Sequence, residues 1–354
     1  MQYFMLIACI VGPILAPAVL FVTFSNGRLI HRLKSLITLN SRESLLKQKL
    51  FWLSLIIPLC YFFIFGYICW QGYSIDLSQA GVEQFLKISS LPLALLSSAV
   101  PLGVVVASFH STQQTGEQIR VTLHKNNLDS YYAHRTDFYN HFSRHVDIDY
   151  LGVISGKFQP HPLLYWNCVS GVPGDGAPTA NSDFFEEVGS YFIEAARSLD
   201  KIFGSTYTHP LLFDYLINTC ANIYRIANTL GLREIYLDLA NDSYQITFPP
   251  GNPYKSETQF ITLGTTDAHA LAAFRYSWDF YTSLCIYIGL TPVTLPDDTD
   301  HIGNGGRTFQ KLGYRNIESI FLVEIEKLRL NPQIRIIKGS DIVSSAGRRD
   351  ASGC

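Results

Sequence analysis

Acidic residues are nearly missing from the first third of this chain. Only Glu43, Asp76 and Glu83, three of the 29 Asp and Glu, precede position 110. Basic residues are sparse there too, with seven of 27. From position 110 onward 20 basic residues stand against 26 acidic ones, a net of −6. That balance excludes a body that binds nucleic acid through bulk positive charge, though not through a local basic patch. The seven cysteines are odd in number and form no CxxC pair. A zinc ribbon and a disulfide framework are thereby excluded, and reduced, mostly buried thiols are expected. Also missing are a Walker loop, a nucleophile elbow, an HExxH zinc motif and any internal repeat. No general acid and base pair stands out, and nothing calls for a cofactor.

Three charge-free runs are present instead. Residues 3–24 (YFMLIACIVGPILAPAVLFVTF) and 51–70 (FWLSLIIPLCYFFIFGYICW) are 22 and 20 residues long. Roughly 20 apolar residues cross a hydrocarbon core. Residues 91–108 (LPLALLSSAVPLGVVVAS) make a shorter third run of 18 that contains Pro92 and Pro101. The first run lacks the basic leader of a signal peptide and is followed by a basic loop. A transmembrane region over 1–109 is therefore expected, with spans at 3–24, 51–70 and 91–108.

The loop between the first two spans holds Arg28, Arg32, Lys34, Arg42, Lys47 and Lys49 against Glu43. The loop between the second and third holds Lys87 as its one base. The positive-inside rule puts the first loop in the cytoplasm. The N-terminus and the 71–90 loop then face out. The expected localisation is a bacterial inner membrane, multi-pass, with the C-terminal domain cytoplasmic. Ile30, Leu33 and Ile37, with Leu45, Leu46 and Leu50, predict an amphipathic helix on the inner surface. No span carries Asp, Glu, Lys, Arg or His, which disfavours a proton relay. Ala99, Gly103 and Ala107 fall four apart on one face. Small residues let helices approach closely, so these positions are candidates for packing a homo-oligomer in the bilayer. A plain anchor is the alternative.

Past the third span, Ile119, Leu123, Leu128, Tyr131, Tyr132, Phe138, Phe142 and Val146 recur at helical spacings. They predict a juxtamembrane amphipathic stalk over 110–146. His134, Asp137, His141 and His145 share one face of it. That pattern reads as a polar, partner-contacting face or, less simply, as a metal face.

The stalk opens with STQQTGEQI at 111–119. Asn126-Asn127, Tyr131-Tyr132, His134-Arg135, Phe138, His141 and Phe142 follow. This run, about 90–146, resembles the transmembrane effector family of retron (reverse transcriptase) anti-phage defence systems. More loosely, it resembles phage abortive-infection membrane proteins. The family pattern has two spans as a rule; three are legible here. The resemblance implies a non-enzymatic effector held quiet by a reverse transcriptase with its RNA–DNA hybrid. Once released, it would perturb the membrane. Tyr131, Tyr132, His134, Arg135, Phe138 and His141 would couple spans to body.

A mainly helical cytosolic domain is expected over 147–338, with a disordered tail at 339–354. Residues 171–178 (GVPGDGAP) lack the helix and Lys of a phosphate loop and read as surface. Asp183 is placed as a helix N-cap with Glu186 completing a capping box. Val188, Phe192, Ala195, Leu199 and Ile202 form that helix's core stripe. A second helix runs over 210–230 and stops at Gly231. A short segment follows at 233–241, then a strand at 244–248. Residues 267–290 are apolar enough to suggest a fourth span. Arg275 and Asp279, spaced to pair, favour a helix buried inside the body. Asp297, Asp298, Asp300 and His301 lie in a loop that does not match an EF-hand. A last helix is expected at 307–330 and a strand at 334–337. The fold class is mainly α, with three membrane spans, a juxtamembrane helix and minor strand content. The rival functional readings are a membrane-anchored metal-dependent enzyme, using the Asp297–His301 loop or the histidine face, and a membrane scaffold.

Overall fold

The computed structural model describes residues 2–24, 29–204, 209–249, 259–304 and 316–341. Helix makes up 72% of it and strands are few, so the architecture is mainly α. The chain divides into two compact units, Met1–Lys125 and Asn126–Cys354.

The first unit contains α1 (Gln2–Thr23), α2 (Leu29–Ile37), α3 (Lys49–Trp70), α4 (Gln79–Ile88), α5 (Ser90–Ser97) and the first part of α6 (Ala99–Ser143). Among the described residues three helical stretches are long and apolar enough to cross a membrane: Tyr3–Thr23, Lys49–Trp70 and Ser90–Ser143. Tyr61 on α3 donates its hydroxyl to the Ile10 carbonyl on α1 at 2.7 Å. The third apolar run is broken between α5 and α6 at Ser98. Pro101 explains the break. It has no N–H for the Ser97 carbonyl, and its ring crowds that position. Regular bonding resumes where the Leu102 N–H reaches the Ser98 carbonyl at 3.2 Å. On α2, Ile30, Leu33 and Ile37 are exposed while Leu36 is buried. Arg28, one of the basic residues behind the topology argument, lies outside the described residues.

The second unit begins within α6. It continues through the hairpin β1–β2 (Ile148–Tyr150, Ile154–Gly156), α7 (Leu164–Cys168) and the short pair β3–β4 (Val169–Ser170, Thr179–Ala180). Then come α8 (Ser182–Phe203), α9 (His209–Leu230), α10 (Arg233–Leu239), β5 (Tyr244–Thr247) and β6 (Gln259–Ile261). Next are α11 (Asp267–Ile288), α12 (Asp300–Asn304), α13 (Asn316–Ile320), α14 (Glu326–Arg329) and β7 (Arg335–Lys338). A π turn, Phe321–Ile325, joins α13 to α14. The three-stranded sheet has the order β6-β5-β7 and is antiparallel throughout, with Gln245 opposite both Ile261 and Ile337.

The apolar periods set the packing. Val188, Phe192, Ala195, Leu199 and Ile202 of α8 are all fully buried, and α8 packs along α9. The cap of α8 differs from the expected one. The helix starts at Ser182 after Asn181, and no side chain caps it. Asn181 instead donates its amide to the Asn167 carbonyl at 2.9 Å, which ties the helix start to α7. Tertiary bonding here displaces a local cap.

At the centre lies α11, with 15 of its 22 residues buried. Thr266 caps its start by accepting the His269 N–H at 3.1 Å. Gly289 ends it in the left-handed region, φ 82°, where a side chain would be strained. Arg275 and Asp279 were expected to satisfy one another. The structure gives each a further partner. Arg275 donates to the carbonyls of Ile302 at 2.9 Å and His301 at 3.1 Å. Asp279 accepts the Tyr150 hydroxyl at 2.7 Å. Burial lowers the arginine's pKa, and the Asp279 charge opposes that shift.

Of the last helix, 307–330, only the part from Asn316 is described; Phe309 and Leu312 lie outside. In that part Ile317, Ile320 and Phe321 are buried as expected. Of the tail, 342–354 lie outside the described residues.

Candidate functional site

The six stalk residues given a coupling role, Tyr131, Tyr132, His134, Arg135, Phe138 and His141, lie within the second unit near the end of α6, whereas Ile119 and Leu123 of the expected apolar stripe fall in the first unit and, like Val146 beyond α6, are exposed. Their side chains split by the helical period. Tyr131, Phe138 and Phe142 are 0–1% exposed, whereas Tyr132 is 54% exposed. The buried set forms an aromatic seam. Phe142 stacks on Phe280 of α11 with ring centroids 4.9 Å apart. Phe138 meets Tyr165 of α7 edge-on at 5.4 Å and Tyr287 of α11 at 5.5 Å. Such pairs add about 0.5–1.5 kcal/mol each beyond the area they bury.

Polar bonds line the same seam. The Tyr287 hydroxyl donates to the His134 carbonyl at 2.6 Å, and the His134 ring nitrogen Nδ1 lies 3.1 Å from the Tyr165 hydroxyl. The Nε2 atoms of His141 and His145 both lie 2.9 Å from the Ser283 hydroxyl. A hydroxyl has one proton to give and two lone pairs to accept with, so at most one ring accepts from Ser283 and at least one donates to it. Burial holds the His134 pKa below the usual range, against the pull of Asp137. Burial also lowers that of His141, and the neighbouring His145 adds to the shift. Arg135 lies half-buried with its guanidinium 5.3 Å over the Trp166 ring. Asn127, one turn before the seam, donates to the Gly174 carbonyl at 2.8 Å and anchors the 171–178 loop.

The histidine face is therefore occupied by packing and hydrogen bonds to α7 and α11. Among the described residues no group of three or more His, Cys, Asp or Glu is arranged to hold a metal ion. Asp297 and Asp298 are exposed, Asp300 accepts the Asn304 amide at 2.6 Å, and His301 lies 3.9 Å from Asp200. The buried thiols are unsuited to nucleophilic work: burial pushes Cys168 and Cys220 up to about 12 and Cys285 to about 11.

The three small membrane positions do not share one environment. Gly103 is buried, and a Cβ there would stand 3.4 Å from Leu55 of α3 in the same chain. Ala99 and Ala107 are partly exposed.

Four residues that receive the α6 seam were not singled out from the sequence: Tyr165, Phe280, Ser283 and Tyr287. A signal existed for three of them. Phe280, Ser283 and Tyr287 are spaced three and four apart, one stripe of α11, matching the stripe on α6. No family model, curated protein or solved structure matches the chain.

Proposed function

We propose that this chain is a membrane-embedded switching protein rather than an enzyme. In this reading it is the effector of a retron-type phage-defence system. A reverse transcriptase with its RNA–DNA hybrid holds the body quiet. Release lets the spans, as a homo-oligomer, perturb the bacterial inner membrane, with the C-terminal domain in the cytoplasm. One observation carries the coupling part of this proposal. The helix that leaves the third apolar run, α6, ends as a buried core element of the second unit through Tyr131, Phe138 and Phe142. A helix committed to a core transmits displacement, because packed cores shift between discrete arrangements rather than deforming continuously. The retron assignment itself rests on the resemblance over 90–146.

The test is expression of the full chain without its genomic neighbours. Membrane potential is read by dye and insertion by fractionation. Wild type depolarises the membrane and arrests growth. Phe138→Ala, which opens the seam, still inserts but changes the onset of depolarisation. A wild-type chain that inserts at high level and leaves the potential unchanged rules the effector reading out.

A further inference from the structure

The stretch between α3 and α5 is more apolar on its surface than a solvated loop tolerates. Ile75 is 95% exposed and Leu77 90%, with Tyr73, Val82 and Phe85 of the same stretch also exposed. These side chains border a cavity of about 720 Å³ lined by Trp70, Tyr73, Ile75, Leu77, Phe85 and Asp76 among others. Ligand pockets are about 300–1,000 Å³, mostly apolar with a few placed polar groups.

The cavity is a built feature. Trp70 is the last residue of α3, a helix long and apolar enough to cross a membrane. Its indole N–H donates to the buried Ser89 hydroxyl at 2.8 Å, and its ring stacks on Phe85 at 5.8 Å. These two contacts clamp α4 beside the end of α3. On the other side, Ser78 caps α4 by accepting the Gly81 N–H at 3.2 Å. Asp76 accepts from the Ser78 N–H and hydroxyl, both at 2.9 Å. The turn is tight enough that a Cβ on Gly81 would overlap the Asp76 carbonyl. Asp76 is thereby held at the cavity wall.

We infer that this cavity binds a phospholipid with an ammonium-bearing headgroup, its acyl chain against Trp70, Leu77 and Phe85 and its headgroup at Asp76. Two features favour lipid over other apolar occupants. The cavity continues directly from the end of a membrane-length helix, where tryptophan and tyrosine sit at the headgroup level. The charged residue on the cavity lining is Asp76, which attracts an ammonium group and repels an anionic headgroup. The exposed Tyr73 ring on the same lining offers the ammonium a cation–π surface.

The inference rests on the membrane reading, and the test separates the two. The full chain is reconstituted in nanodiscs containing phosphatidylethanolamine or phosphatidylglycerol with a photoreactive acyl chain. Labelled peptides are mapped by mass spectrometry. Label is expected on 70–88 as well as on α1 and α3, with phosphatidylethanolamine favoured over phosphatidylglycerol at 70–88 roughly two- to fivefold, as one ammonium contact allows. Ala80→Trp, which fills the cavity, removes label from 70–88 and leaves that on α1 and α3. Asp76→Asn keeps the label but erases the headgroup preference. Label on α1 and α3 with none on 70–88, or label on 70–88 that Ala80→Trp does not lower, overturns the lipid site alone. So does a cross-link between 70–88 of two copies in place of lipid. No label on any of the three apolar helices overturns the membrane reading and the site with it.

Discussion

Two helices of 22 residues, α3 and α11, are both rich in apolar residues and behave differently in the structure. In α3 four residues are buried, Leu53, Ser54, Pro58 and Gly66, and large side chains such as Phe63 stand exposed. In α11 fifteen are buried. The polar groups explain the contrast. Within α3 no charge follows Lys49, so any apolar solvent suits its surface. In α11, Asp267, Arg275 and Asp279 each find hydrogen-bond partners on other elements of the same unit. Apolar length therefore does not by itself make a span. A helix with ionisable groups belongs in a protein core when that core supplies their partners.

The largest effect should come from a large-to-small change that this contrast makes asymmetric. Phe280→Ala removes a ring packed on Phe142 and Phe158. It should cost about 3–5 kcal/mol, read by denaturant melts of the full chain in detergent. Phe63→Ala, at a site 57% exposed, should stay within about 0.5 kcal/mol. Equal losses would break the comparison.

Next comes the charge inside α11. Asp279→Ala removes an acceptor of the Tyr150 hydroxyl and a carboxylate charge near Arg275. Arg275 keeps its carbonyl partners, so the loss should be about 1–3 kcal/mol, short of the 3–5 kcal/mol on the order expected for a bare buried charge. A loss at that upper level would show that Asp279 is the partner that matters.

The third test uses pH. Asp267 accepts the backbone N–H groups of Asn316 and Ile317, yet burial outweighs them and raises its pKa to about 6, with the Glu318 charge adding to the rise. A carboxyl whose folded pKa lies above its unfolded one takes up its proton first in the folded state. Stability from this group is therefore gained as pH falls through 6 towards 4 and lost as pH rises through that window. His134, His141 and His269, all held low by burial, act in the opposite sense as pH falls below their unfolded values. Comparison with Asp267→Asn cancels those histidines. Wild type minus variant should improve by about 1 kcal/mol between pH 7 and pH 5. A difference independent of pH would refute the raised pKa.

The smallest effect sharpens the seam. Arg135→Ala removes one half-exposed cation–π contact with Trp166 and should cost about 0.5–1 kcal/mol, with a change in tryptophan emission. A loss as large as that of Phe280→Ala would mean that Arg135 organises the seam rather than edging it.

Much of this was legible beforehand. Charge-free length marked the three membrane-length helices, and a period of 3.6 marked the buried stripe of α8, because both signals are local. The spacing of Arg275 and Asp279 also marks α11 as a core helix from sequence alone. Their partners were not legible, since Ile302, His301 and Tyr150 come to them from 26 or more positions away in sequence. The same limit hid the α8 cap, where Asn181 bonds to Asn167. It also hid the faces that receive the α6 histidines, Tyr165 and Ser283.

By itself the sequence determined where apolar length and charge occur, and so which helices can meet lipid and which stripe of α8 turns inward. Only the tertiary structure decided what each polar group on those stripes bonds to. It seated the histidine face on two neighbouring helices and placed Gly103 against α3. It also shaped an open cavity between the end of α3 and α4. Helical periodicity is written into consecutive residues, whereas a hydrogen-bond partner is chosen by chain distant in sequence that folding brings near.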